Sequence, residues 1–512
     1  MIWFFCWLLA TLVGVGCVGS TDTDDAQRVQ MEPSITIFSS PMWIRERIDP
    51  KRMIQIVIVM KHERSRVARF EADLLELATP HSKRYGKWLK ADDVRSMLAP
   101  SAANISVVTD FLYAHIPTPG IRISRLGDLI TLSLTVEQAE DVLHTKFALF
   151  RSSVRREVAL ARVTGPYFLP GNVAAVVRVV DVVRLPTVRT DTARTRGRGG
   201  QAGSGGGGGS WDREGRKDRR GSGGSGDSGG RGTGDRESTG GGYRRIKASD
   251  QEFSAGLVTP AVLRAAYGFS ELQIYSPGNS MAVASFHNLG EPGNSEPRNQ
   301  ELLDVQYINA VAHPIPLLLL QATTLLTWID TLLDLGKPPL VHSVTYGYDE
   351  EGQVSGEYME AVNEQFMVAG AMGLTLVFSA GGGGCGGSSG SGNGRNGCDS
   401  SGGSGGTGSG YRSSFPASSP YVTAAGGAAA GTAVAAVVAG MVAQLNDMRL
   451  ARHMPPLGWL SPLLYANQGC FRVIKESRGG GGGYRAVEGW DSVTGLGTPD
   501  YQCLLKAVMS GK

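Results

Sequence analysis

The sequence predicts an α/β fold, a mostly parallel sheet with helices on both faces, preceded by a smaller α+β domain. Between residues 281 and 381, apolar runs of strand length alternate with longer amphipathic runs of helix length. From residue 54 to the helix that follows Thr135 the runs follow a β-α-β-β-α order instead. Composition sets the boundaries: the chain has 71 glycines in 512 residues, and they concentrate in tracts at 191–250 and 381–410.

Residues 1–20 open on the apolar run Ile2-Trp3-Phe4-Phe5-Cys6-Trp7-Leu8-Leu9 and end in small residues. This reads as a signal peptide, with a retained signal anchor as the alternative. Over 40–190 a compact domain is expected. Ile54–Met60 is a strand, and Val67–Ala78 is a helix with Leu74, Leu75 and Leu77 on its apolar side. Ile121–Leu126 and Leu129–Leu134 are further strands, and Thr135 with Gln138 three residues later caps the next helix. Residues 191–250 mix Gly/Ser with charge and hold too little apolar surface to fold, so a flexible linker is expected. Their Arg-Gly content also suits RNA, but interspersed acidic residues dilute it.

Residues 251–512 carry the larger domain. Met281–Phe286 is a buried strand, and a helix is expected at about 299–311. Leu317–Leu335 reads as a half-buried helix, because Asp330 and Asp334 argue against a membrane span. Val341–Gly347 and Leu374–Gly381 are strands on either side of an amphipathic helix, Ser355–Met372. Ala424–Leu445 has no charge, and its small residues suit a buried central helix better than a span.

The formal net charge of +3 is small for this length and argues against a dedicated nucleic-acid binder. Beyond Cys6 and Cys17, the chain has Cys385, Cys398, Cys470 and Cys503, which allow three pairings in an oxidising compartment. No CxxC or HExxH spacing occurs, which speaks against a zinc site.

The run Gln300-Glu301-Leu302-Leu303-Asp304-Val305-Gln306-Tyr307 places carboxylates and apolar residues at helical spacing. Together with Phe415-Pro416-Ala417-Ser418-Ser419-Pro420-Tyr421-Val422-Thr423 and Gly489-Trp490-Asp491, it resembles the sedolisin family of serine-carboxyl peptidases. Within that family the likeness is to the lysosomal tripeptidyl-peptidase branch. His81-Ser82, Tyr85-Gly86-Lys87 and Leu89 are similar to the family's activation prodomain. The resemblance implies a subtilisin-like sheet, here incomplete, since many tens of family residues between Thr423 and the helix after Thr432 are missing.

It also implies a Ser nucleophile, a Glu base, an Asp that orients the Glu and an Asp at the oxyanion. Asp304 matches the orienting acid. The base position holds Gln300, which cannot take up a proton. Glu301 beside it is the substitute base on offer, turned about 100° round the helix. Gly382 stands at the oxyanion Asp, and the nucleophile position falls on Thr432 or Ala433. The family's Ca²⁺ site maps to Asp491, Gly489, Val487 and Val473, with Arg472 in place of a second Asp ligand.

The expectation is a sedolisin-family homologue of tripeptidyl-peptidase type, inactive as written, in the secretory pathway with a lysosomal, vacuolar or extracellular destination. An active form would release tripeptides from free N-termini at acid pH. The alternatives are a non-catalytic pseudoprotease that binds peptides or a partner, and an incomplete gene model of an active enzyme. Expected partners are peptides and the chain's own prodomain, without nucleic acid and without membrane beyond a signal anchor.

Overall fold

The computed structural model describes residues 28–35, 43–116, 120–153, 156, 159–185, 258–269, 275–286, 299–349, 354–380, 414–426, 433–474, 487–491 and 494–510. The expected signal peptide, linker and glycine-rich insert lie outside the described residues. Described parts on both sides of 186–257 belong to one compact unit.

The N-terminal domain is built on a four-stranded antiparallel sheet. Its strands are β1 (Met53–Met60), β2 (Gly120–Ile123), β3 (Leu129–Thr135) and β4 (Val177–Val180), in the order β2-β3-β1-β4. Helix α1 (Arg64–Ala78) follows β1, then come α2 (Ala91–Leu98) and α3 (Ala102–His115). Alternation in β1 sends Ile56, Ile58 and Met60 into this domain's own core, while Val57 and Val59 face the other way. Helix α4 (Val136–Leu143) starts on the expected cap: Gln138 N–H donates to Thr135 Oγ1 at 3.2 Å, and Thr135 N–H donates to Gln138 Oε1 at 2.9 Å. A second, three-stranded antiparallel sheet joins residues Trp43–Glu46, Phe147–Ser152 and Ala159–Val163.

The C-terminal body carries five parallel strands. In chain order they are β5 (Met281–Phe286), β6 (Leu317–Ala322), β7 (Val341–Val344), β8 (Thr375–Ser379) and β9 (Thr423–Ala425), arranged β6-β5-β7-β8-β9. Helices cover both faces, as buried parallel sheets require. Helices α6 (Asn299–Ala312) and α9 (Val434–Leu450) share a core with Met281, Val283, Val341 and Val377. Helices α7 (Leu325–Asp334) and α8 (Gly356–Ala371) share the other with Ala284, Phe286, Leu376 and Phe378. The body opens with α5 (Pro260–Tyr267), capped by Thr259 and closed by Gly268 at φ +73°. It ends with α10 (Tyr501–Ser510).

One expected element changes type. Leu317–Leu335 is not a single helix: β6 pairs with Met281–Phe286, and a helix starts only at Leu325. Four successive leucines have no phase, so periodicity cannot separate strand from helix there. The break is chemical, since Thr324 Oγ1 accepts from Thr327 N–H at 3.2 Å and caps the helix. The expected 424–445 run is also divided, between β9 and a helix beginning at Val434.

Helix α9 crosses α6 closely at Gly440, where a Cβ would meet Val311 Cβ and Cγ1 at 2.9 Å. Gly440→Leu should cost about 1–3 kcal/mol through overpacking, read as a lowered midpoint in urea unfolding.

Candidate active site

The carboxyl ends of β5 and β7 lie beside α6, the usual place for a site in a parallel α/β sheet. Strand β7 runs out into Thr345, whose hydroxyl donates to Asp304 Oδ2 at 2.6 Å. Asp304 is only 1% exposed, so its carboxylate is a held, buried group and not a solvated helix charge. Behind it Phe286 stacks on Tyr346 with ring centroids 4.0 Å apart, and Tyr346 shares a hydroxyl contact with Tyr348. Burial pushes both tyrosines far above their ordinary range, so they act here as neutral donors and apolar walls.

Gln300 lies in the first turn of α6. Glu301 is buried, and its Oε2 has no hydrogen-bond partner among the described residues. The rotation argument placed it off the site's direction, yet it is buried because α6 is packed by α5, α9 and β5 together. An unmatched buried acceptor costs about 1–3 kcal/mol. Glu301→Leu should therefore raise the unfolding midpoint, and a lower midpoint would show that the carboxylate has an essential partner.

Gly382 and Thr432 lie outside the described residues. Ala433, the other nucleophile position, is fully buried at the N-terminus of α9 and offers a methyl group only. On the opposite flank, Ala380 N–H donates to Ala425 O at 2.8 Å, and Gly426 lies against Ala380 so closely that a Cβ there would sit at 2.9 Å. The described residues thus bring Asp304, Thr345, Tyr346 and Glu301 to one end of the sheet without a nucleophilic side chain at the helix start. Sequence reasoning missed Thr345, and its place directly after a buried strand was the available signal.

The expected Ca²⁺ positions do not fit a cation. Thr494 N–H and Oγ1 donate to the two oxygens of Asp491 at 2.7 and 2.5 Å, so the carboxylate closes its own loop. Arg472 donates to Ala266 O, which ties the strand before Val473 to α5. Gly489 and Val487 are exposed. Among the described residues, no three His, Cys, Asp or Glu side chains gather to hold a metal. Nearby, Cys470 and Cys503 form a disulfide, which selects one of the pairings left open.

The N-terminal domain packs against the body on the α8 side of the sheet. Arg184 is fully buried with its guanidinium 3.6 Å from the Tyr358 ring centroid and is paired with Glu32. Glu32 also accepts from Tyr167 Oη at 2.8 Å and from Ser355 Oγ at 2.5 Å. Trp88 enters a slot in the body and donates from Nε1 to Pro456 O at 2.8 Å. No helix among the described residues is long and apolar enough to cross a membrane.

The chain is similar to several known proteins. Residues 43–189 match the family profile "Pro-kumamolisin, activation domain". The chain is 25% identical to tripeptidyl-peptidase 1 of Rattus norvegicus, over 99% of both chains. It is 24% identical to tripeptidyl-peptidase 1 of Homo sapiens, over 92% of this chain and 94% of that one. Among solved structures, Pseudomonas sedolisin, a serine-carboxyl proteinase complexed with two molecules of pseudo-iodotyrostatin, aligns at TM-score 0.38 and 16% identity, over 49% of this chain and 98% of that chain. With a match to an activation domain ahead of a parallel α/β body, and likeness to these peptidases along nearly its whole length, this chain is similar to the sedolisin-type peptidases.

Proposed function

We propose that this chain is a tripeptidyl-peptidase-like sedolisin homologue that has lost peptidase activity. The observation that carries this reading is Ala433, buried at the head of the central helix and one of the two positions, with Thr432, on which the family's nucleophile serine falls. Removing a serine nucleophile alone costs about 10⁶-fold in turnover in a well-studied serine peptidase. Gln300 at the base position removes the proton acceptor as well. Incubation with peptides bearing free N-termini at acid pH should release no tripeptides above a buffer blank. Tripeptide release that Asp304→Asn abolishes would overturn the reading.

Peptide or partner binding without hydrolysis is the second reading, favoured by the held Asp304 and Thr345 at the carboxyl end of the sheet. The Cys470–Cys503 disulfide supports passage through an oxidising compartment, hence the secretory pathway with a lysosomal, vacuolar or extracellular destination. We further propose that the C-terminal loop is held by Arg472 and by Asp491's own hydrogen bonds in place of Ca²⁺. Chelator or added Ca²⁺ should then leave the melting temperature unchanged, and a rise with Ca²⁺ would refute this.

A further inference from the structure

The seam between the activation domain and the body buries titratable groups at three places. At the first, His62 Nδ1 lies 2.8 Å from Glu364 Oε2 on α8, while Nε2 faces Asp128 Oδ2 at 3.5 Å. Gln365 Nε2 donates to that same Asp128 oxygen at 2.7 Å, and Ser124 Oγ donates to the other at 2.8 Å. Arg178 holds Glu364 Oε1 at 3.0 Å and also pairs with Glu360, with Lys61 behind it on the carbonyl of Ala174 at 2.7 Å. At the second, Asp181 lies 3.7 Å from Arg184 Nη1, near Arg162, Thr324 and the tyrosines at 346, 348 and 358. At the third, Asp330 of α7 pairs with Arg122 and lies 3.4 Å from Thr131 Oγ1, with Asp334 and Asp128 near it.

We propose that the activation domain of this chain is a permanent clasp, which stays seated on the body from neutral to mildly acid pH. It is not a leader shed by acidification. Opposite charges meet across the seam at His62 with Glu364, Arg178 with Glu364 and Arg122 with Asp330, while both oxygens of buried Asp181 lack a hydrogen-bond partner among the described residues. The clasp goes beyond the non-catalytic reading, and its test does not depend on that reading.

The titration of these groups runs in one direction. Burial alone would lower His62, but the hydrogen bonds and charges of Asp128 and Glu364 outweigh it and hold the imidazole up at about 9. Its stabilisation is therefore complete below the ordinary 6.5 and is lost only as pH rises through about 9. Burial would raise Asp128, but His62, Gln365 and Ser124 overcome it and hold the carboxyl down. That contribution is present above 3.8 and fails only as pH falls below it. Burial raises Asp181 against the pull of Arg162, and raises Asp330 against that of Arg122. Both carboxyls protonate more readily docked than free, so they favour the docked state increasingly as pH falls. Between neutrality and roughly pH 4, His62, Asp128, Asp181 and Asp330 therefore hold the seam constant or strengthen it.

The test uses the full chain, nicked by limited trypsin within the Arg-containing residues 191–250 and run by size exclusion at about pH 7 and about pH 4.5. The two fragments should co-elute at both values. In the uncut chain the melting temperature should rise across the same interval, and Asp181→Asn, neutral throughout, should flatten that rise. Fragments that separate at the lower pH, or a wild-type melting temperature that falls, would overturn the clasp. Peptide hydrolysis by the co-eluting fragments would refute the non-catalytic reading and leave the clasp standing. Separation without hydrolysis would do the reverse.

Discussion

Trp88→Ala should lower the unfolding free energy by about 3 kcal/mol or more, the usual cost of emptying a Trp site at a packed interface. The slot for this ring is made by two glycines in left-handed backbone, Gly373 at φ +85° and Gly458 at φ +64°. A Cβ at Gly373 would meet Trp88 Cδ1 at 2.6 Å, and one at Gly458 would meet Cζ2 and Cη2 at 2.5 Å. The body has thus removed side chains on both sides of one indole and offers Pro456 O to its N–H. Leu89 N–H then donates to Ala371 O at 2.8 Å, which fixes the depth of insertion. Gly458→Ala should destabilise by a similar mechanism from the other side. In a Trp88→Ala background only its backbone strain should remain, so the two costs should add to less than their sum. Urea midpoints for the four combinations measure this, and strict additivity would show that the ring does not occupy the slot.

Arg184→Met should cost about 3–5 kcal/mol, because it strands Glu32 as a buried charge. Tyr167 and Ser355 still donate to Glu32, so part of the carboxylate remains satisfied. Adding Glu32→Leu to Arg184→Met should recover much of the loss, since an apolar pair of similar volume often matches a buried ion pair. The full chain should show this as a melting temperature that falls in the single variant and returns in the double. A double variant no better than the single would locate Arg184's contribution in its stacking on Tyr358 and not in the ion pair.

Much of the fold was legible because short apolar runs of strand length alternate with longer amphipathic ones. Met281–Phe286 and Thr375–Ser379 send alternate side chains into two cores, and runs of that kind are recognisable without coordinates. The leucines of 317–320 carried no such phase, and only Thr324 with Thr327 marked where the strand gave way to a helix. The acid helix was legible through Asp304, but its partner Thr345 lies 41 residues on, and a local pattern does not report such a contact. The same holds more strongly at the seam. His62 and Glu364 are 302 residues apart, and each alone reads as an ordinary surface charge. Glu301 shows a different limit: a helix packed by three neighbours has no single buried face, so counting degrees round its axis misjudges what is covered.

One hydrophobic cluster draws Val57, Val59, Phe70, Leu74, Leu77, Val94 and Leu98 from the activation domain and Ala322, Trp328, Tyr358, Phe366 and Phe378 from the body. During synthesis the first group leaves the ribosome while the second is still untranslated. The gap from Leu98 to Ala322 is roughly 220 residues, or about 10–45 s at ordinary elongation rates. Throughout that interval the inner side of α1, and from about residue 180 the completed sheet face, have nothing to close against, which makes the nascent chain a client for chaperones. A stop in translation between about 185 and 322 would therefore release a fragment with a complete inner core and an adhesive outer face.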